Sequence, residues 1–291
     1  MTVVNSVLQG LTLGGLYALF ACGLSLMFGV MRIINLAHGD LAVLGAFLVW
    51  WTTQQFGVNP FVALLVVVPL MFAVGYALQR TILQRCLAGG PYVPLLATFG
   101  LAIVLQNALL QTFSPDVRSL APGIGGFATA SWRLGSLSVP VLGVLVLAAA
   151  VAVLAGLQLF LRRTTLGLQM RATAQDADTA QLVGVDSRRV YALATAVAVA
   201  TTALAGAFFG LRSTFDPSSG PAQLIFGFEA VVIGGFGSLW GTLAGGMVLG
   251  VAQALGALID PQYALVAGHL VFLAVLASPR GGLLAMRTAT A

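Results

Sequence analysis

The sequence predicts an all-α, polytopic integral membrane protein. Three observations carry that prediction. Of 291 residues, 59% are hydrophobic and only 7% are charged, against about a quarter charged in an ordinary soluble domain. Mean hydropathy is +1.01. Apolar stretches long enough to cross about 30 Å of hydrocarbon follow one another along the chain. A soluble fold of this length needs more polar surface than this composition supplies, so 1–291 is read as one transmembrane domain. Disorder, collagen, a secreted disulfide scaffold and a nucleic-acid binder are excluded.

Residues 1–31 carry no charge. A secretory signal starts with a positive region, so the first helix, near 4–29, is expected to be retained. Further helices are expected near 39–53, 60–79, 92–113, 139–161, 189–211, 222–238, 240–259 and 262–278. Those at 39–53 and 222–238 are short and interrupted by Gly or polar residues, so each is either a full crossing or a broken, re-entrant piece. About eight transmembrane helices result. GxxxG strings at Gly10–Gly14, Gly206–Gly210 and Gly246–Gly250 predict close helix packing, because small residues one turn apart let backbones approach. The 114–138 stretch, rich in Pro and Gly, reads as an irregular cap.

All 13 basic residues are Arg. Arg32, Arg80, Arg85, Arg162, Arg163, Arg171, Arg188, Arg189, Arg280 and Arg287 would share one side, and Arg118, Arg133 and Arg212 the other. The Arg-rich side should be cytoplasmic. The N-terminus is outside if 39–53 crosses and inside if it is re-entrant. Without Lys the chain has no Walker A loop, so ATP, if used, binds another subunit. Cys22 and Cys86 sit at different depths and are not expected to pair. His38 and His269 lack metal-ligand spacing. No HExxH, CxxC or GxSxG string occurs. No cofactor, metal or catalytic group is expected.

Three constellations stand out. Arg32 to Asp40 places Asn35, His38 and Asp40 between two apolar helices. It reads as a plain interfacial turn or as a polar path element at membrane depth, where such groups face a partner or water. The 162–189 loop holds a short helix expected at 173–183. Thr173 and Asp176 resemble a capping box, Ala174, Ala177, Ala180 and Val183 form a small-residue stripe, and Gly184 is placed to end the helix. It is either a solvated connector or a ridge for a partner's groove. In the third, Glu229, the chain's one Glu, stands in an apolar run before a glycine-rich turn. It is a helix-to-helix tie, a protonated acid or a functional carboxylate. Thr98, Gln106 and Asn107 are uncharged candidates for path lining or helix packing. The string Gly234–Gly241 lacks both the spacing and the strand of a nucleotide loop.

Together these residues resemble a known family. Tyr17-Ala18-Leu19, then Gly29 to Asp40 and Gly45-Ala46, closely match the N-terminal signature of LivH-type permeases, the membrane subunits of branched-chain amino-acid ABC importers. The match continues in Thr165-Leu166-Gly167, Ala180 to Val185, Val231 to Ser238 and Gly241 to Gly246. The resemblance implies a multi-pass protein of the bacterial inner membrane. It implies a related second permease subunit, two cytoplasmic ATPase subunits and a periplasmic solute-binding protein as partners. The helix at 173–183 would be the coupling helix, with Thr173, Asp176, Ala177, Ala180, Val183 and Gly184 facing the ATPase. Asn35, His38, Asp40, Thr98 and Glu229 would serve the solute path. The solute would be a branched-chain amino acid or a relative of one. Two other classes compete. A proton-coupled secondary transporter would use Glu229, Asp40 and His38 as a relay. An intramembrane hydrolase would need Asp40 and Glu229 paired.

Overall fold

In the computed structural model, residues 2–90, 92–134 and 137–278 are described. The bundle is helical. Among the described residues, six segments are long and apolar enough to cross a membrane. They are α1 (Thr2–Met31), α3 (Pro60–Leu78) with its continuation, α5 (Tyr92–Phe113), α6 (Val141–Arg163), α9 (Ser187–Arg212) and α11 (Leu239–Ile259). With α2 (His38–Phe56), α10 (Gly220–Gly234) and α12 (Tyr263–Leu276), the expectation of about eight membrane helices holds approximately. α3 runs on through a π-helical turn at Gln79–Leu83 into the short α4 (Gln84–Cys86). Asn59 starts α3 by accepting from the Phe61 amide at 2.9 Å, with Pro60 in the first turn, where a missing N–H costs nothing.

α1 and α9 are the central spans and run antiparallel. Thr195 lies beside Met31, Thr202 beside Gly23, and the Phe209 ring 6.2 Å from that of Phe20. α11 lies antiparallel along α1, and here two GxxxG strings face each other. A methyl on Gly14 would stand 2.5 Å from the Gly246 carbonyl oxygen, and one on Gly246 2.6 Å from that of Gly14. Glycine is what lets the two backbones touch. α3 pairs with α9 in the same sense, with Gly75 against Thr195 and Val199.

α2 and α10 settle the question of the short segments. Arg32 adopts φ 55°, a left-handed conformation that ends α1 and costs a non-Gly residue about 1–2 kcal/mol. The chain then turns back into the bundle, so that His38 reaches the level of Phe20 and Gly23. α2 therefore starts at mid-depth and leaves at the end opposite the 162–189 loop, packing Gly45 on Ala203 and Phe47 on Phe215. α10 is its inverse. After α9 the segment 213–219 descends, pinned by paired backbone bonds between Arg118 and Phe215 of 2.8 and 2.9 Å. α10 then starts where α2 starts and runs obliquely to the other end, where Gly237 meets Gly29. The start of α1 and the stretches 114–134 and 137–140 share one end. Arg32, Arg80, Arg85, Arg162, Arg163, Arg171, Arg188 and Arg189 share the other. Arg280 and Arg287 lie outside the described residues.

Two local expectations change. The 114–138 cap is not wholly irregular: a 3-10 stretch spans Ala121–Ala128, and β1 (Ser131–Leu134) pairs antiparallel with β2 (Leu137–Pro140), Trp132 opposite Val139. Four-residue strands are too short for alternation to show. The helix expected at 173–183 is two helices, α7 (Thr165–Gln175) and α8 (Ala177–Leu182). Thr164 caps α7, accepting from the Gly167 amide at 3.0 Å. Thr173 is thus in the last turn of α7 and buried, not a cap. Asp176 breaks the helix because its carboxylate takes the amides of Asp178 and Thr179 at 3.0 and 3.1 Å, the local competition typical of Asp.

Candidate functional site

The site is built where the amino ends of α2 and α10 meet. Gly39 and Gly220 carry the contact. A methyl on Gly39 would overlap the Gly220 carbonyl oxygen, and one on Gly220 would overlap the Asp40 carboxylate. Each helix thus starts against the other inside the bundle, at the level of Phe20 and Gly23 of α1. Unpaired amides and the positive helix ends converge there.

Around this junction Asn35, His38, Asp40 and Thr98 each have a partner. His38 is fully enclosed. Its Nε2 stands 3.1 Å from the Phe20 carbonyl and 2.7 Å from Thr202 Oγ1. Thr202 donates onward to the Ala198 carbonyl at 2.7 Å, so its oxygen accepts from a protonated Nε2. His38 therefore ties α2 to both central spans. Asn35 is buried, and its Oδ1 accepts from the Ala37 amide at 3.0 Å, which shapes the turn into α2. The neighbouring Leu36 amide donates to Thr98 Oγ1 at 3.1 Å, holding the unwound segment to α5. Asp40, 1% exposed, accepts from Gln106 Nε2 of α5 at 3.0 Å.

Glu229 sits further along α10. It is 3% exposed, and His269 Nδ1 of α12 lies 2.5 Å from its Oε1. The Phe226 ring stacks over His269 at 6.4 Å. Asp40 and Glu229 are thus bound to different helices. Asp40 lies against Gly220, the first residue of α10, and Glu229 is about 13 Å further along that helix by its rise. The two carboxyls do not form the pair an intramembrane hydrolase needs.

Asn35, His38, Asp40 and Thr98 therefore come together, and Glu229 forms a second centre. Sequence reading missed His269, Thr202 and the Tyr17–Gln253 bond of 2.6 Å that links α1 to α11. His269 had a signal: it is the one histidine of α12, placed in the last apolar helix beyond Glu229. Replacing His38 by Ala should lower the thermal-unfolding midpoint of the purified protein in detergent, with a cost of about 2–4 kcal/mol from the cavity and the lost bonds. His38→Gln, which keeps a donor, should recover part of it.

The residues expected to couple lie at the Arg-rich end. Gly184 has φ 87°, and the Val185 amide bonds the Ala180 carbonyl at 3.1 Å, the closure of a left-handed helix end. Thr179 Oγ1 donates to Asp176 at 2.5 Å. That bond and the amide of Thr179 push the Asp176 carboxyl below its ordinary value. The cap is therefore complete above the ordinary Asp range and lost as pH falls through the lowered value. Ala180, expected on an open face, is 4% exposed, whereas Leu182 and Val183 are 87% and 77% exposed. The three-residue repeat misassigns the face because the helix restarts at Asp176.

Comparison with known proteins places the chain. The family model for the branched-chain amino acid transport system permease component matches residues 6–276. The high-affinity branched-chain amino acid transport system permease protein BraD of Pseudomonas aeruginosa is 31% identical over 297 residues, covering 96% of this chain and 94% of that one. LivH of Escherichia coli, of the same description, is 28% identical over 298 residues with the same coverage. The fructose import permease protein FrcC of Rhizobium meliloti is 29% identical over 258 residues, 83% of this chain and 69% of that one. Among solved structures, PsaBC from Streptococcus pneumoniae in complex with Fab aligns with TM-score 0.50 at 12% identity, over 96% of this chain and 92% of that one, a likeness of fold alone. The mid-depth junction, the succession of apolar spans and a family match over nearly the whole length agree: the chain is a multi-pass membrane protein that belongs to the branched-chain amino acid transport system permease family.

Proposed function

We propose that the chain is the translocation subunit of an ATP-driven importer for branched-chain or related amino acids in a bacterial inner membrane. The observation that supports this reading best is the meeting of two helix amino ends inside the bundle. Such ends favour a carboxylate, and Asp40 beside them suits an ammonium group. A zwitterion needs both. The junction is closed in the single chain, so passage requires the helices that cover it to move. α5 is the mover in this reading: it holds Leu36 through Thr98 and Asp40 through Gln106, and it leaves Asn107 and Gln111 exposed. An amide facing lipid is costly, so that face meets a second permease subunit or the path.

ATP hydrolysis belongs to separate subunits that dock on Leu182 and Val183, and a binding protein delivers the solute at the hairpin end. The Arg-rich end is then cytoplasmic. A membrane-impermeant thiol reagent added outside should label Ser131→Cys and spare Gln175→Cys, both exposed positions at opposite ends. The reverse pattern overturns the orientation.

The Glu229–His269 pair is the one feature that favours a proton-coupled carrier. Reconstitution separates the readings. Uptake of labelled leucine that needs ATPase subunits and ATP supports the importer, and uptake by the chain alone, driven by a proton gradient, overturns it.

A further inference from the structure

A cavity of about 290 Å³ lies at the Arg-rich end, away from both the junction and the coupling edge, between the last turns of α1, the end of α6, α7 and the start of α11. Its lining holds two arginines, Arg162 and Arg171, and no carboxylate. Among the described residues the ion pairs are those of Arg118 and His269, so neither lining guanidinium is neutralised. With its amide oxygen turned toward Arg162, Gln158 accepts from Nε at 2.8 Å, which steadies that head at the cavity.

The inner wall adds an independent observation. Ser25 lines the cavity and is 1% exposed, and its hydroxyl has no hydrogen-bond partner among the described residues. Buried hydroxyls are rarely left so. Leu239, the first residue of α11, lines the same space, which brings a positive helix end to it. Gly29 and Gly237 keep that wall open to backbone.

We propose that this cavity binds a phosphate-bearing anion, with the phosphate held between Arg162 and Arg171 and accepting from Ser25 once that buried hydroxyl rotates toward it. Two planar guanidiniums and a hydroxyl match a group with three or four oxygens better than a two-oxygen carboxylate. The volume suits a phosphate and a few attached atoms rather than a nucleotide. The shared chemistry has two sources, an anionic phospholipid headgroup reaching in from the leaflet or free phosphate from solution. Either would tie α7, which leads into Asp176 and the exposed Leu182–Val183 edge, to α1 and α11.

The test uses the full chain, stripped of lipid in neutral detergent. In one arm it is titrated with phosphatidylglycerol and bound lipid is counted by native mass spectrometry. In the other it is dialysed against radiolabelled inorganic phosphate. One equivalent of one probe should bind. Binding should weaken about tenfold or more in Arg162→Gln and Arg171→Gln, as expected for loss of a charge-assisted pair, and severalfold in Ser25→Ala. Arg171→Lys should restore part, and Arg80→Gln, at the same end but off the cavity, should leave it unchanged. Retention of phosphatidylglycerol assigns the site to a headgroup, and phosphate binding without lipid assigns it to the free anion. Equal binding of both probes by wild type and Ser25→Ala, or equal loss in Arg80→Gln and Arg171→Gln, overturns the proposal. Ser25→Ala removes one hydroxyl and keeps the test open if an arginine variant does not fold.

Discussion

Gly220→Val should strongly reduce solute uptake while the protein still reaches the membrane. A Cβ at this position overlaps Asp40 Oδ1 and stands 2.8 Å from the Asp40 backbone nitrogen. The second contact is to backbone, so no rotamer change relieves it. The starts of α2 and α10 must separate, and Asp40 must leave Gln106. Overpacking of this kind costs about 1–3 kcal/mol, and a loss of that size at the proposed path corresponds to a fall in uptake of about 5- to 150-fold. Gly39→Ala should act in the same way, because its methyl meets the Gly220 carbonyl. Gly100→Ala is the control: the space beside it is open, and its uptake should match wild type. The measurement is the initial rate of leucine uptake into vesicles holding the assembled importer, normalised to assembled complex. A wild-type rate in Gly220→Val would remove the junction from the path.

Much of this arrangement is legible from residues. Composition gives the membrane, and the GxxxG strings announce close helix packing, though not which helices pair, because close approach depends on the absence of a side chain and that absence is visible in sequence. The polar run Asn35 to Asp40 announces a break in the helices. Its depth is not visible. Whether 32–37 lies at the surface or turns back into the bundle depends on Arg32 taking a left-handed conformation and on His38 finding Thr202, 164 residues away. Long-range partners of that kind also hide the Glu229–His269 pair. The apolar period cannot report them, since both partners occupy positions where an apolar residue would fit the pattern equally well. In the 162–189 loop the discrepancy has a different cause. The repeat of small residues reads as continuous through Asp176, and Asp176 resets the helical phase by binding the next amides itself.

That reset changes which substitution tests coupling. Ala180 is buried, so Ala180→Arg would force a guanidinium into an enclosed position and damage the loop itself. The surface open to a partner is Leu182 and Val183, just before the turn at Gly184. Two adjacent apolar side chains at this exposure on a polar loop have no partner of their own within the chain's core, and a hydrophobic groove on an ATPase subunit would bury both. Leu182→Asp combined with Val183→Asp should therefore cut co-purification of the ATPase and lower solute-stimulated ATP hydrolysis by roughly tenfold or more, since central interface anchors contribute about 2 kcal/mol or more each. The thermal-unfolding midpoint of the isolated permease should not fall, because neither side chain packs against its core. Gly184→Val should act through the turn instead: it imposes a left-handed conformation on a β-branched residue, at a cost of about 1–2 kcal/mol, and loosens α8 as well as the docking edge. A double variant that keeps wild-type ATPase binding and stimulation would place the coupling contact elsewhere on the Arg-rich end, with α7 and its exposed Leu168 the next surface to substitute.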